Sequence, residues 1–323
     1  MAVLFGPKVY SLVQPATIYV WVAFLGGLGA VVAGLGGSLA QVWVGYSLIF
    51  GLANGLGYGF GLQYAARANP DQAGLAIGVV TAAYAFGAVL APVGFEAAIN
   101  FGGFLAAMVL LGAAVFLVSI WAASVVRRTG VNYAESDVEN AISQLSRRKL
   151  AILWLAYGGG FAAGLMAIGH AAGIASVAGL SGWMAAGVIA ICNLAGSLLS
   201  GWLSDRISHR FLLTSLPIVG ALALFLLAVA PIQVFVLLGL IGFAYGGTIA
   251  TYPIAISRIF GAQNGPRAYG LIFTAWGTAG LLAPWLAGKI FDVTDSYSPA
   301  LLIAVCFSVA SAFIIQKIFL RSA

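Results

Sequence analysis

Ionisable side chains are almost absent from the apolar stretches of this 323-residue chain, so a few polar groups carry most of the chemistry it could do. His170 is the one clear titratable group inside a long apolar run, about two thirds of the way along it. An imidazole at that depth binds a solute or carries a proton, or else it hydrogen-bonds a neighbouring helix. Asn193, Ser197, Ser200 and Ser204 recur at helical spacing. Such a polar stripe lines an aqueous path or ties two helices together. The depth of Asn193 and Ser197 suits the path, and that of Ser200 and Ser204 suits packing. Tyr245, Thr248 and Tyr252 form a comparable stripe, with Tyr58 a weaker counterpart. Tyr84 and Trp276 each sit mid-run, where an aromatic ring can stack on a solute, hold a cation on its face, or simply pack. Glu96 lies at the end of its run and reads as interfacial.

Other chemistries lack their parts. No Gly-x-x-x-x-Gly-Lys-Ser/Thr loop is present, which argues against an ATP-driven pump. No acid and imidazole cluster has metal-ligand spacing, and His209 falls in a basic loop away from any nucleophile. The chain is therefore not expected to be an enzyme or to need a cofactor or metal. Cys192 and Cys306 lie inside apolar runs and read as packing residues. Only 7% of residues are charged and the mean hydropathy is +1.07, whereas a soluble domain carries about 25% charge. The net charge of +6 then points to orientation in a membrane with an anionic leaflet, not to nucleic acid.

Ten stretches can hold the ~20 apolar residues that a span needs: roughly 16–36, 42–66, 74–98, 102–126, 149–177, 182–204, 211–229, 232–256, 268–291 and 298–319. Of the fourteen Lys and Arg residues all but Lys289 fall in alternate gaps, the positive-inside pattern. Both termini are then expected in the cytoplasm. Arg67 and Arg258 close the cytoplasmic ends of the second and eighth spans as topology and gate residues. The opposite turns, Gly37–Gln41, Asn100-Phe101 and Ala230-Pro231, are short enough to force antiparallel neighbours. Gly51, Gly55 and Gly59, Gly160 with Gly164, and Gly242 with Gly246 have the spacing of close helix contact. Ser136 and Glu139 suit a capping box, and Val138, Ile142 and Leu145 then predict an amphipathic cytoplasmic helix. That segment divides the chain into residues 1–126 (four spans), a linker at 127–148, and residues 149–323 (six spans). A repeat joins the parts. At an offset of 192, Ala76, Gly78, Ala83, Leu90, Ala91 and Pro92 recur as Ala268, Gly270, Ala275, Leu282, Ala283 and Pro284, with Tyr84 opposite Trp276.

Gly201 to Arg210, reading GWLSDRISHR, resembles the cytoplasmic-loop signature of the major facilitator superfamily, Gly-x-Leu-x-Asp-Arg-x-x-x-Arg. Gly201 would let two helices approach, Asp205 would cap or pair at a helix end, and Arg206 and Arg210 would form charge clamps that break and reform. PDQAGLAIG (70–78), AGLMAIGHAAGIA (163–175), YGLIFTAWGTAGLLAP (269–284) and DVTDSY (292–297) are similar to the oxalate:formate antiporter and monocarboxylate porter group. Asp292 and Asp295 fall in the last of these and are expected to cap an outer turn.

The resemblance implies an all-α polytopic membrane protein with a two-bundle helical fold. The ten spans would be equivalent to helices three to twelve, with residues 1–13 as the tail of helix two and Gly6-Pro7-Lys8 as a degenerate loop signature. It also implies that the helices bearing Tyr84 and Trp276 line the cavity. The group carries an Arg in helix eight and a Lys in helix eleven, and Ser197 and Trp276 stand at those positions here. A dianion would then lack a counter-charge. The expected function is secondary active or facilitated transport, by alternating access, of a weak monocarboxylic acid, a neutral solute or an amine, in the cell (inner) membrane. The substrate-binding candidates are Tyr84, Trp276, His170, Asn193, Ser197, Tyr245 and Tyr252. Lipid and a small solute are the expected partners of a monomer. The alternative is a non-transporting scaffold or truncated remnant, with a protein partner, if the first helices are truly missing.

Overall fold

A backbone surrounded by hydrocarbon has to satisfy its own N–H and C=O groups, and a helix does so within one segment. The computed structural model describes residues 8–10, 12–130, 146–261 and 264–320, and among these every regular element is helical. Ten helices are long: α1 (Pro15–Gly34), α2 (Leu39–Ala68), α3 (residues 73–101), α4 (residues 104–129), α5 (Arg147–Gly169), α6 (Gly182–Ser204), α7 (His209–Val229), α8 (Val234–Phe260), α9 (Gly265–Thr294) and α10 (Ser298–Leu320). The capping-box segment around Ser136 and Glu139 lies outside the described residues, as do Gly6 and Pro7.

Two predicted boundaries move. Helices α3 and α4 form a single 57-residue run interrupted only at Gly102 (φ −154°, ψ 25°) and Gly103 (φ 68°, ψ −156°). Only glycine adopts the second pair without steric cost, so the chain turns there and not at Asn100-Phe101. Beyond it the chain folds back, because Phe95 and Ala98 pack against Ala107 and Met108, and Gly94 faces Leu110. The fifth predicted span is broken as well. Helix α5 stops at Gly169, His170 takes φ −114° and ψ 14°, and a short helix follows at Ala171–Val177.

The helices gather into two compact units, Met1–Ala68 with Leu90–Ile142, and Asn69–Val89 with Ser143–Ala323. In the first, α1 crosses α2 where a Cβ on Gly45 would lie 2.4 Å from the Ala33 nitrogen and one on Gly29 would lie 2.5 Å from that of Phe50. Helix α2 widens to a π-helical turn over Trp43–Phe50 at that crossing. On its other side α1 packs Gly26 on Val115 of α4. Tyr10, Tyr19, Phe60 and Tyr64 make an aromatic knot, closed by the Tyr64 hydroxyl at Val126 O and Thr129.

In the second unit α6 and α8 touch backbone to backbone. A Cβ on Gly196 would lie 2.1 Å from Phe243 O, and one on Gly246 the same distance from Asn193 O. Helix α5 is tied to α9 by the Trp154 indole donating to Thr274 (2.9 Å) and to α10 by Ser311 donating to Ala156 O (2.6 Å). Ser308 of α10 donates to Pro217 O of α7 (2.9 Å). The apolar core fills the space between, from Met166 and Ile174 through Leu224, Leu238 and Ile241 to Leu301.

Candidate functional site

Three helices of the second unit carry aromatic residues at helical spacing: Tyr157 and Phe161 on α5, Tyr245 and Tyr252 on α8, and Tyr269, Phe273 and Trp276 on α9. Because α5 packs on both α8 and α9, these stripes meet. Tyr157 lies 4.4 Å from Phe161 and 4.5 Å, edge to face, from Tyr252. Phe161 meets Tyr245 edge to face at 5.1 Å. Tyr269 lies 5.4 Å from Phe273, which in turn stacks on Trp276 at 5.4 Å. Each such pair contributes about 0.5–1.5 kcal/mol beyond its burial. Tyr157, Phe161, Tyr252 and Tyr269 are buried, whereas Phe273 and Trp276 are half-buried at the edge of the seam. The Trp276 Nε1–H donates to the Tyr245 hydroxyl at 2.7 Å, which fixes the indole plane. The seam presents ring faces and edges to which a flat or apolar group can stack, and its lining rings carry no carboxylate, ammonium or imidazole.

The sequence pointed to Trp276, as the counterpart of Tyr84, and to the stripe with Tyr245 and Tyr252, but missed Tyr157, Phe161, Tyr269 and Phe273. Their signal is present, as i, i+4 pairs on α5 and α9. Tyr84, on α3, is exposed.

The other predicted site residues lie in helix contacts. Ser197, read as a residue of the aqueous path, is fully buried; it donates to Gly246 O (3.1 Å) and lies 3.4 Å from Asn193 Oδ1. The stripe faces α8 because Gly246 and Gly247 let that helix approach so closely. Ser204 donates to Ser200 O (2.8 Å). His170 bridges to α9, with Nε2 2.8 Å from Pro284 O, and its ring lies 5.3 Å from that of Tyr297. Burial, and after it the Asp292 carboxylate, push the Tyr297 phenol above its ordinary value.

The loop signature is built around Asp205. Its carboxylate accepts the Gly74 N–H (2.8 Å) and the Leu75 N–H (2.9 Å), two of the free donors that open α3. A negative charge at a helix N-terminus is favoured by the dipole as well as by the bonds. The approach needs glycine: a Cβ on Gly201 would sit 2.6 Å from Gly78 Cα, and one on Gly74 2.6 Å from Asp205 Oδ1. The expected clamp geometry differs for Arg206. Its guanidinium lies 4.0 Å over the Trp202 ring and donates to Trp202 O (2.9 Å), so Asp205 is satisfied by backbone and not by its neighbouring cation. Arg210 is half-buried at the start of α7, and Arg258 is exposed in the last turn of α8, its charge felt by His209. Arg67 occupies the last turn of α2. Among the described residues the ion pair is Lys289–Asp292 (3.7 Å), exposed on α9, and Asp295 ends that helix at φ 52°. No group of three His, Cys, Asp or Glu that could hold a metal occurs among the described residues.

Known proteins are similar to this chain in sequence and in fold. The uncharacterized MFS-type transporter YhjX of Escherichia coli K12 is 28% identical over 267 residues, which are 78% of this chain and 66% of the relative. The oxalate:formate antiporter of Oxalobacter formigenes is 25% identical over 303 residues, 88% of this chain and 69% of the relative. The chain thus spans about two thirds of the length of each. Among solved structures, the transporter FucP in its outward conformation superposes with a TM-score of 0.70 over 98% of this chain and 86% of its own, at 13% identity. The sequence profile of the Major Facilitator Superfamily matches residues 13–284 and again 182–323, and this multi-pass membrane protein belongs to that family.

Proposed function

We propose that the protein moves a small organic solute across a bacterial inner membrane by alternating access, with both termini in the cytoplasm as the placement of its Lys and Arg residues favours. One observation carries the reading: Trp276 is held by Tyr245 at the half-buried edge of a seam of buried rings, with no charged side chain in the seam. Such a surface suits a monovalent acid, an uncharged solute or an amine. The Oxalobacter relative is named for exchanging oxalate and formate. A dianion finds no partner charge at Ser197 or Trp276, and leaving it uncompensated in a membrane costs several kcal/mol. The Asp205 cap supports the cycle, since a bond between a carboxylate and a helix start forms and breaks as a unit when the two elements separate.

Tracer uptake by cells expressing the full-length protein tests this. Formate, acetate, a neutral amide and a small amine would be compared with oxalate. Uptake of a monovalent or uncharged solute above that of oxalate, lost in a well-expressed Trp276→Ala variant, is the expected result. Normal uptake by that variant would remove the aromatic site, and preferred uptake of oxalate would remove the charge argument.

A further inference from the structure

The contacts of α5 fix which residues stand beside one another at the end where that helix begins. Trp154 donates to Thr274 of α9 and Gly158 faces Ala275, so those two helices run parallel. Ala156 O accepts from Ser311 of α10 and Gly159 faces Phe307 O, so that pair runs antiparallel. A step of seven residues makes about two helical turns and returns to nearly the same face. Taken back from Trp154 and Thr274, that step reaches Arg147 and Arg267. Taken from Ala156 back and from Ser311 on, it reaches Lys149 and Ile318, next to Lys317. Arg147, Arg148, Lys149, Arg267 and Lys317 therefore stand at one level where α9, α5 and α10 meet. Arg147, Arg148, Lys149 and Lys317 are exposed, and among the described residues no carboxylate lies within ion-pair distance of these four.

Apolar surface continues from these cations along the same helices. Arg148 shares a face of α5 with Leu155, seven residues on and 57% exposed. That face points away from α8, which meets α5 at Phe161 and Gly164. On α10 the Lys317 ammonium lies 4.4 Å over the ring of Phe313, itself 58% exposed. We infer that this patch is a binding site for an anionic phospholipid, with its phosphate among the cations and its chains along Leu155 and Phe313. The occupant has to be negative at one end and hydrocarbon over the rest, which a free anion or an acidic peptide is not. Each Lys or Arg beside a membrane surface strengthens attraction to anionic lipid about fivefold. The site is independent of the solute carried.

Short-chain phosphatidylglycerol and phosphatidylcholine would each be titrated into the full-length protein in a neutral detergent, with Tm as the readout. Phosphatidylglycerol is expected to raise Tm at lower concentration than phosphatidylcholine. Arg148→Gln with Lys317→Gln should move the phosphatidylglycerol midpoint up about 25-fold, and Arg148→Gln alone, which serves if the double variant does not fold, about fivefold. Arg148→Lys with Lys317→Arg should keep the wild-type midpoint. Arg127→Gln with Arg128→Gln removes the same charge from the exposed end of α4 in the first unit and should leave the midpoint within about twofold. An equally large shift in that control overturns the site in favour of diffuse attraction to all the cations. Equal stabilisation by the two lipids, as expected if Glu135, Asp137 and Glu139 of the linker neutralise the patch, also overturns it. A matching rise in Tm with inorganic phosphate alone would mean a free-anion site and overturns the lipid assignment.

Discussion

Helices α8 and α2 are both glycine-rich, yet they end in opposite environments. Within its most apolar window α8 is 67% buried, whereas α2 is 11% buried. On α8, glycines 242, 246 and 247 each face a backbone atom or a serine hydroxyl of α6 at a distance that would forbid a Cβ. On α2 a Cβ on Gly45 would lie 2.4 Å from the Ala33 nitrogen, whereas the nearest atom to one on Gly51 would be the Tyr46 carbonyl oxygen, at 3.7 Å. The number of glycines therefore does not measure how closely helices pack. What matters is whether the glycine row faces another backbone, and on α8 it does so beneath the ring seam. That crossing forms a stiff base on which Tyr245 holds Trp276.

The widest separation between the units is expected from matched glycine substitutions. Gly196→Ala puts a Cβ 2.1 Å from a fixed carbonyl, so α6 and α8 must move apart; overpacking of this kind costs about 3 kcal/mol. Gly94→Ala in the first unit meets only the end of Leu110 at 3.4 Å, and better helix propensity offsets that contact by up to about 1 kcal/mol. Folded yield and Tm in detergent should fall sharply for Gly196→Ala and hold or rise for Gly94→Ala. Equal losses would mean that the α6–α8 crossing is no stiffer than the α3–α4 hairpin.

Asp205→Asn should have the next largest effect. An amide keeps one acceptor oxygen but loses the charge and one of the two bonds to the start of α3, a change of about 1.5–3 kcal/mol for charge-assisted pairs. The expected outcome is slower turnover with nearly unchanged apparent affinity in uptake assays. A loss confined to affinity would place Asp205 in solute binding instead. For comparison, Tyr64→Phe at the end of α2 removes neutral bonds only and should change Tm less.

How much of this was legible in the sequence depends on the kind of contact. The spans were, since each needs only a run of apolar residues, and the positions of Lys and Arg order them. The α3–α4 turn was misplaced by two residues because Asn100-Phe101 looks polar enough to turn, while the backbone reversal itself requires the positive φ that Gly103 supplies. Asp205 was recognisable as a capping residue, but its partners Gly74 and Leu75 lie about 130 positions away, beyond any local periodicity. The polar stripe of α6 was visible and its facing was not. Spacing shows that Asn193 and Ser197 share a face, but only the glycines of a second helix decide whether that face meets water or backbone.

His170 tests the other end of the second unit with a smaller effect. His170→Ala removes one bond to Pro284 O and the ring against Tyr297, which together are worth about 1–2 kcal/mol. His170→Gln can still donate to that carbonyl and should recover part of the loss. Hydrogen exchange would report the difference as faster exchange at residues 171–177 in the Ala variant than in the Gln variant. If exchange there is unchanged in both, the break in α5 is held by Gly169 against Pro284 and by Gly173 against Tyr297 alone.

The smallest effect is expected at the most visible charge pair. Lys289 and Asp292 stand one turn apart on α9 with both side chains about two-thirds exposed and 3.7 Å between them. Water screens such a pair, and holding two long side chains in place offsets what attraction remains, so its removal costs no more than about 0.5 kcal/mol. Lys289→Ala should therefore leave Tm and uptake within error of wild type. Lys289 is also the one cation that falls outside the alternate gaps holding the other thirteen, so under the proposed topology its loss should leave orientation intact or reinforce it. A fall in correctly oriented protein, read from protease protection of either terminus in intact cells, would show that this exposed lysine anchors α9 at the interface, which its pairing with Asp292 does not suggest.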